Sequence, residues 1–182
     1  ASDVYKRQGN MFQSGYWNFL EECRVTSFCG VPYTYEILDY LRILSRPWKE
    51  LRLLTQAGGA MSREMKQKLL EWICDRRQRG ITTHLAIMYG QTEATARMSA
   101  FFLDQHPDKM DSVGRAISGG AFQIKNKDHA GEGDIYYRGA NVYLGYVKER
   151  SDLTENADVW RQNTDLLDTG DVGKLDEEGY LY

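Results

Sequence analysis

Between Tyr89 and Glu93 the run Tyr-Gly-Gln-Thr-Glu sets an aromatic ring, a hydroxyl and a carboxylate within a few positions of one another. A ring can serve as a platform for a flat ligand, and the hydroxyl and carboxylate can meet polar or charged groups beside it. The segment Gln56-Ala-Gly-Gly-Ala60 offers something different, because paired glycines let backbone come close to a flat ligand and expose its amides. Thr169-Gly170-Asp171 adds a second carboxylate. Each feature also has a plainer reading. A Gly-Gly pair is commonly a turn, and a buried tyrosine is commonly core. Glu93 stands evenly between a functional carboxylate and an acid favoured at the start of a helix over Ala94 to Phe102, and Asp171 beside Gly170 reads as a turn residue. His84, His106 and His129 fall in a strand, before Pro107 and in a polar turn, with no carboxylate or serine partner that would make a triad.

These residues need elements to position them. Val25 to Cys29 reads as a short buried strand, and after Pro32 the apolar residues Ile37, Leu38, Leu41 and Leu44 recur at helical spacing. Leu51 to Thr55 is again strand-like. Ser62 can cap a helix whose Met65, Leu69, Trp72 and Ile73 form one apolar stripe, with Gly80 as its stop. Thr83 to Met88 supplies a third strand. Strands alternating with helices imply parallel pairing through right-handed crossovers, since a tight hairpin cannot reach a parallel partner. The glycine-bearing loop and the Tyr89 loop then both follow strand ends, where α/β sheets receive ligands.

From about Asp111 helical periodicity disappears. Short, glycine-punctuated, aromatic-rich strands take over at Phe122 to Lys125, Asp134 to Tyr137 and Val172 to Leu175, and Asp176-Glu-Glu-Gly179 reads as a hairpin turn into Tyr180-Leu-Tyr182. The expected fold class is therefore α/β, a parallel strand-helix layer followed by a small antiparallel β subdomain that stops inside its last strand. The expected boundaries are 9–110 and 111–182, with 1–8, which fits nothing after it, open between a non-native leader and native sequence.

Composition narrows the function classes. The chain has 182 residues, 42% hydrophobic, with a net charge of -3 and interleaved signs, so no broad basic face is offered to nucleic acid. Arg76, Arg77 and Arg79 read as cations at the negative end of a helix. No apolar run approaches the roughly 18 residues of a membrane span, and the start lacks the order of a signal peptide, so the expected location is cytoplasmic. Cys23, Cys29 and Cys74 form no metal-like pair and are expected to be buried thiols.

Three further stretches, MYGQTEATAR (Met88 to Arg97), GEGDIYYRGANVYLGY (Gly131 to Tyr146) and LLDTGDVGKLDEEGYLY (Leu166 to Tyr182), stand in an order and spacing that resemble the adenylate-forming, AMP-binding superfamily. That superfamily includes acyl-CoA synthetases, peptide-synthetase adenylation domains and luciferases. LRLLTQAGGAMS (Leu51 to Ser62) and SFCGVPYTYEIL (Ser27 to Leu38) resemble the parts that precede them, so the likeness runs from about Phe12 onward.

The resemblance implies roles residue by residue. Tyr89 would stack on adenine, worth roughly 1–3 kcal/mol where base stacking has been measured, with Gly90 beside it in the nucleotide site. Gly58, Gly59 and Ala60 would line adenine and the acyl pocket. Thr92 would face the phosphates, Glu93 would hold Mg2+, and Asp171 would accept both ribose hydroxyls. Gly131, Gly133, Gly139 and Gly145 are assigned to turns and close packing.

The implied reaction activates a carboxylic acid with ATP as an acyl-adenylate, releasing pyrophosphate, and passes the acyl group to CoA or to the pantetheine thiol of an acyl or peptidyl carrier protein. The substrate is the nucleophile, so positioning and charge neutralisation are the protein's work. The phosphate loop with its lysine and the C-terminal lysine domain that the resemblance calls for are not among these residues, which by themselves are expected to be inactive. Two alternatives stand beside the acid–CoA ligase: an amino-acid adenylation domain of a multi-module synthetase, and a nucleotide-binding pseudoenzyme of the same fold.

Overall fold

A computed structural model describes residues 11–147, 149–150 and 166–182; the expected leader over 1–8 lies outside them. The helices are α1 (Ser14–Glu22), α2 (Pro32–Tyr40) and α3 (Arg63–Gln78). The strands are β1 (Ser27–Gly30), β2 (Leu53–Gln56), β3 (His84–Tyr89), β4 (Ser99–Phe102), β5 (Arg115–Ala116), β6 (Ala121–Lys125), β7 (Gly133–Arg138) and β8 (Leu167–Gly173). Hydrogen-bonded neighbours follow the order β1-β2-β3-β4-β5 in one sheet and β6-β7-β8 in another. The chain divides into two compact units, Ala1–Ala86 with Phe102–Pro107, and Ile87–Phe101 with Asp108–Tyr182.

In the first unit the expected strand-helix alternation is present. β1 and β2 pair in parallel, Ser27 opposite Leu53 through Gly30 opposite Gln56, with α2 between them as the crossover. Pro32 occupies the first turn of α2, where its missing N–H costs nothing. The helix ends at Tyr40, short of the Leu44 that periodicity proposed, because Arg42 adopts a left-handed conformation (φ 54°) and Ile43–Ser45 forms a 3-10 turn. α3 follows its expected caps. The Ser62 hydroxyl accepts from the Met65 N–H, and Gly80 stands just beyond the helix with φ 77°.

Met65, Leu69 and Ile73 of α3 are buried, as are Leu54 and Leu85 from the strands and Trp17, Tyr35, Leu38 and Trp48. The Trp17 and Trp48 rings meet edge to face at 6.3 Å. Tyr35 is fully buried, and its hydroxyl is satisfied by the Thr55 carbonyl at 2.7 Å.

The arginine cluster divides. Arg77 and Arg79 are exposed, as expected of cations near a helix end, but Arg76 is 6% exposed and bonds to the carbonyls of Trp48 and Leu51 and to Thr83 Oγ1 at 2.6–2.8 Å. It also lies over the Trp72 ring, and burial lowers its pKa. Asp104, its side chain only 2% exposed, gathers Arg77, the His84 ring and the Leu85 N–H.

The cysteines depart from expectation: Cys23, Cys29 and Cys74 are all exposed. Cys23 closes the end of α1, and Cys74 turns away from the Leu69–Ile73 stripe. Cys29 lies on the exposed alternate of β1. Among the described residues no helix is long and apolar enough to cross a membrane.

The second unit holds the antiparallel part. β6 pairs with β7 in unbroken antiparallel register from Ala121–Arg138 to Lys125–Asp134, and β7 pairs with β8 with an irregularity between Asp134 and Tyr136. The expected turn at Asp176–Gly179 is closed by the Gly179 N–H on the Asp176 carbonyl, and Leu181 bridges both Leu175 and Gly114. Ala94, Met98, Tyr137 and Leu167 form a buried cluster with Tyr89, Phe122 and Tyr143 packed against it.

The helix expected over Ala94 to Phe102 is replaced by a 3-10 turn at Thr92–Ala94 and by β4. Thr95 (φ 52°) and Ala96 (φ 65°) are left-handed, which ends any helix, and the Met98 N–H returns to the Tyr89 carbonyl at 2.9 Å. Burial of Met98 and Ser99, both 0% exposed, outweighs the local helix preference.

Candidate functional site

β3 delivers Tyr89 to its carboxyl end, and the chain then reverses through Gly90 to Arg97. Gly90 matters here for a steric reason. A Cβ at this position would lie 2.8 Å from the Ala96 carbonyl oxygen, so the turn can close on itself only over a glycine. The reversal is held from the side by Asn141, whose Nδ2 donates to the carbonyls of Ala94 and Arg97 at 2.8 Å each. The left-handed Thr95 and Ala96 are thus secured by neighbours that over-determine them.

Tyr89 is half-buried. Its ring is tilted against Phe122 at 6.2 Å, and its hydroxyl donates to Asp171 Oδ2 at 2.6 Å. Burial, and then the bond to Asp171, push its phenol well above the ordinary tyrosine range, so the ring remains a neutral donor at neutral pH. Asp171 is exposed. Its N–H is taken by Thr169 Oγ1 at 3.2 Å, and the Thr169 hydroxyl itself donates to the Ile135 carbonyl at 2.8 Å. A carboxylate accepts several hydrogen bonds, so one donor on Oδ2 leaves Oδ1 and further lone pairs open to other hydroxyls.

Glu93 is half-buried and Thr92 exposed, both in the 3-10 turn. The Glu93 carboxylate accepts a hydrogen bond from the Tyr146 hydroxyl, which holds its pKa below the usual glutamate value and pushes the Tyr146 phenol up to about 12. The Glu93 carbonyl accepts from the Tyr143 N–H at 2.7 Å. Tyr89, Gly90, Thr92, Glu93 and Asp171 therefore belong to one unit, with Tyr89 and Asp171 in direct contact despite a sequence separation of 82.

The glycine loop belongs to the first unit. Gly58 (φ 78°) and Gly59 (φ 154°) adopt conformations that L side chains rarely take, and Gly58, Gly59 and Ala60 are all exposed. Gln56, 1% exposed, donates through Nε2 to the Gly59 carbonyl at 2.7 Å and so fixes the bend from below.

The donor set bears on which cation could be held. Among the described residues no group of three or more His, Cys, Asp or Glu side chains is placed to bind a metal. A dedicated protein cage for Ca2+ or Zn2+ is not offered there. One half-buried carboxylate, Glu93, beside the exposed Thr92 hydroxyl fits Mg2+, which keeps waters and is commonly bound by one or two carboxylates plus the phosphates of a nucleotide.

Sequence reasoning missed Tyr146, Asn141 and Gln56. In the stretch from Gly131 to Tyr146 only the four glycines are given a role by the sequence, in turns and packing. The signal inside it was an exposed tyrosine following an Asn in a glycine-flanked loop, which carries meaning only once that loop is known to lie on the Glu93 turn.

The chain is an α/β protein with a parallel strand-helix layer and an antiparallel sheet, and its aromatic, hydroxyl and carboxylate turn follows a strand end, where α/β sheets receive ligands. The family model described as AMP-binding enzyme matches residues 3–147, and the chain belongs to that family. A 2-succinylbenzoate–CoA ligase from Lactococcus lactis subsp. lactis is 32% identical over 94 residues, covering 52% of this chain and 18% of its own length. A long-chain-fatty-acid–CoA ligase from Rattus norvegicus is 27% identical over 156 residues, covering 83% of this chain and 19% of its own. Among solved structures, o-succinylbenzoate CoA synthetase from Bacillus subtilis in complex with ATP and magnesium ion matches with a TM-score of 0.68 at 22% identity, over 96% of this chain and 34% of that one. At that identity the likeness is one of fold. The chain spans about a fifth of the length of the curated relatives it matches.

Proposed function

We propose that this chain carries part of the nucleotide site of an AMP-forming acid–thiol ligase. The observation that carries the reading is the Tyr89–Asp171 contact at 2.6 Å in the unit that also holds Glu93, within a chain of the AMP-binding enzyme family. Tyr89 stacks on adenine while its hydroxyl sets the orientation of Asp171. Asp171 accepts the ribose hydroxyls through its remaining lone pairs. Base and sugar are then gripped by two residues that brace each other. Gly90 keeps the turn tight, and in the first unit Gly58, Gly59 and Ala60 present exposed backbone of the kind a flat ligand can approach.

In the first half-reaction a carboxylate oxygen of the substrate acid attacks the α-phosphorus of ATP. The new O–P bond forms as the bond from that phosphorus to the β-bridging oxygen breaks, and pyrophosphate leaves with the electron pair. Thr92 donates to phosphate oxygens, and Glu93 is the residue that would hold Mg2+, which when bound offsets phosphate charge. In the second half-reaction a thiol sulfur attacks the acyl carbonyl. The C–S bond forms, AMP leaves, and the thiol proton passes to solvent. Both curated relatives are named as CoA ligases, which supports CoA as acceptor; a carrier-protein pantetheine arm presents the same thiol.

The test is acid-dependent ATP–pyrophosphate exchange by the gene product that carries this chain, across fatty, aryl, hydroxy and amino acids. Exchange with some acid, lost in Asp171→Ala and Glu93→Gln, is the expected result. A folded protein that binds AMP yet exchanges with none of them would rule the ligase out.

A further inference from the structure

We propose that Tyr146 is a positioning residue for the Glu93 carboxylate, a role that rests on the reading of Glu93 as cation ligand given above. The Tyr146 side chain is 63% exposed, so it does little to fill the core. It makes an edge contact with Tyr143, ring centroids 5.0 Å apart at 69°, and its hydroxyl donates to Glu93 Oε1. An exposed aromatic normally leaves its hydroxyl to water. This one is spent on the carboxylate that has the most specific task in the turn.

The fold of the turn has other supports. Backbone bonding from the Tyr143 N–H to the Glu93 carbonyl, and the Asn141 bonds to Ala94 and Arg97, already dock the loop onto it. Asn141 is itself oriented by the Tyr137 hydroxyl at 2.9 Å. The loop is therefore anchored without Tyr146, and what the Tyr146 hydroxyl adds is control over the Glu93 side chain. A flexible glutamate on a turn points in many directions; one pinned through Oε1 presents Oε2 in a fixed direction, with lone pairs free for a cation. Hydrogen-bonded partners of ligating carboxylates act in this way in metal sites generally, and their loss costs about 10–100-fold in metal affinity or activity.

The test uses the gene product that carries this chain, saturated with AMP and titrated with Mn2+ as the probe, reading the relaxation enhancement of the Glu93 backbone amide. In Tyr146→Phe the half-saturating Mn2+ concentration is expected to rise about tenfold. AMP affinity in metal-free buffer and the melting temperature should not move, which separates positioning from a merely structural role. Glu93→Gln should lose the response. Unchanged or tighter Mn2+ binding in Tyr146→Phe, with the response lost in Glu93→Gln, overturns the role of Tyr146 and leaves Glu93 standing. A response that survives in Glu93→Gln, or is missing from the wild type, overturns both.

Discussion

Replacing Tyr89 by Phe removes one oxygen and keeps the ring, so it separates the two tasks assigned to this residue. The lost group is the donor to Asp171 Oδ2, 2.6 Å away. Hydrogen bonds to charged groups contribute about 1.5–3 kcal/mol. Asp171 is exposed and water can replace the donor, so a value of about 1 kcal/mol is the better expectation for an exposed charge. That corresponds to about a fivefold weaker AMP affinity, since roughly 1.4 kcal/mol is tenfold. Tyr89→Ala removes the stacking surface as well, a further loss of roughly 1–3 kcal/mol. Asp171→Asn keeps the shape of the acid but weakens it as an acceptor. Calorimetric titration of the four proteins with AMP, completed by the Tyr89→Phe/Asp171→Asn double variant, gives a cycle for the contact. If the two residues act together, the double variant binds AMP more tightly than the sum of the single losses requires. Additive losses would show that Tyr89 does not orient Asp171 in the bound state. Equal affinity of Tyr89→Phe and Tyr89→Ala would refute stacking itself.

Other expectations follow from geometry. Gly90→Ala drives a methyl to 2.8 Å from the Ala96 carbonyl oxygen, and overpacking of this kind costs about 1–3 kcal/mol; the melting temperature should fall by several degrees, and a wild-type melt would contradict the close approach. Arg76→Met keeps an unbranched apolar chain but loses the guanidinium over Trp72 and strips a buried donor from the Trp48 carbonyl, a loss of about 1–3 kcal/mol readable as a lower midpoint in urea. Burial raises the Asp176 pKa, but bonds from Lys109 and from the Tyr180 N–H outweigh it and hold the carboxyl below its ordinary value. Its contribution to stability is therefore present above the unfolded carboxyl pKa and is lost as pH falls through the depressed folded value. The acid side of the stability profile should flatten in Asp176→Asn, and an unchanged slope would remove Asp176 as its cause.

Most of the first unit could be read from sequence because its signals are local. Ser62 before the Met65–Leu69–Ile73 stripe and Gly80 after it fix α3 by capping and periodicity alone, and the apolar runs of β1, β2 and β3 are each confined to a few residues. The Ala94 to Phe102 segment could not be read this way. Its helix-friendly Ala94, Ala96 and Met98 are overruled by Asn141, more than forty positions on, and by burial of Met98, neither of which a local pattern carries. The cysteines failed for a related reason: composition favours buried thiols, whereas exposure is decided by which helix face or strand alternate each one occupies. At the candidate site the ring, hydroxyl and acids were visible as residue types, but the partnerships Tyr89–Asp171 and Tyr146–Glu93 cross 82 and 53 positions and needed the fold.

The pairing of Leu181 with the 112–114 segment has a consequence for how the chain emerges during synthesis. Ser112 Oγ and the Val113 N–H both bond to the Leu181 carbonyl, and the Leu181 N–H bonds to Gly114, across a separation of 69 residues from Ser112 to Leu181. On a ribosome adding about 5–20 residues per second, that separation is a wait of roughly 3–14 s during which the 112–114 backbone lacks its partner. The first unit, by contrast, is made of residues that have all been added by Pro107. Nascent chains arrested before Leu181 should therefore show a protease-resistant first unit and a cleavable segment after Asp108. Equal resistance of both before Leu181 is made would show that the late pairing is not needed to close the second unit.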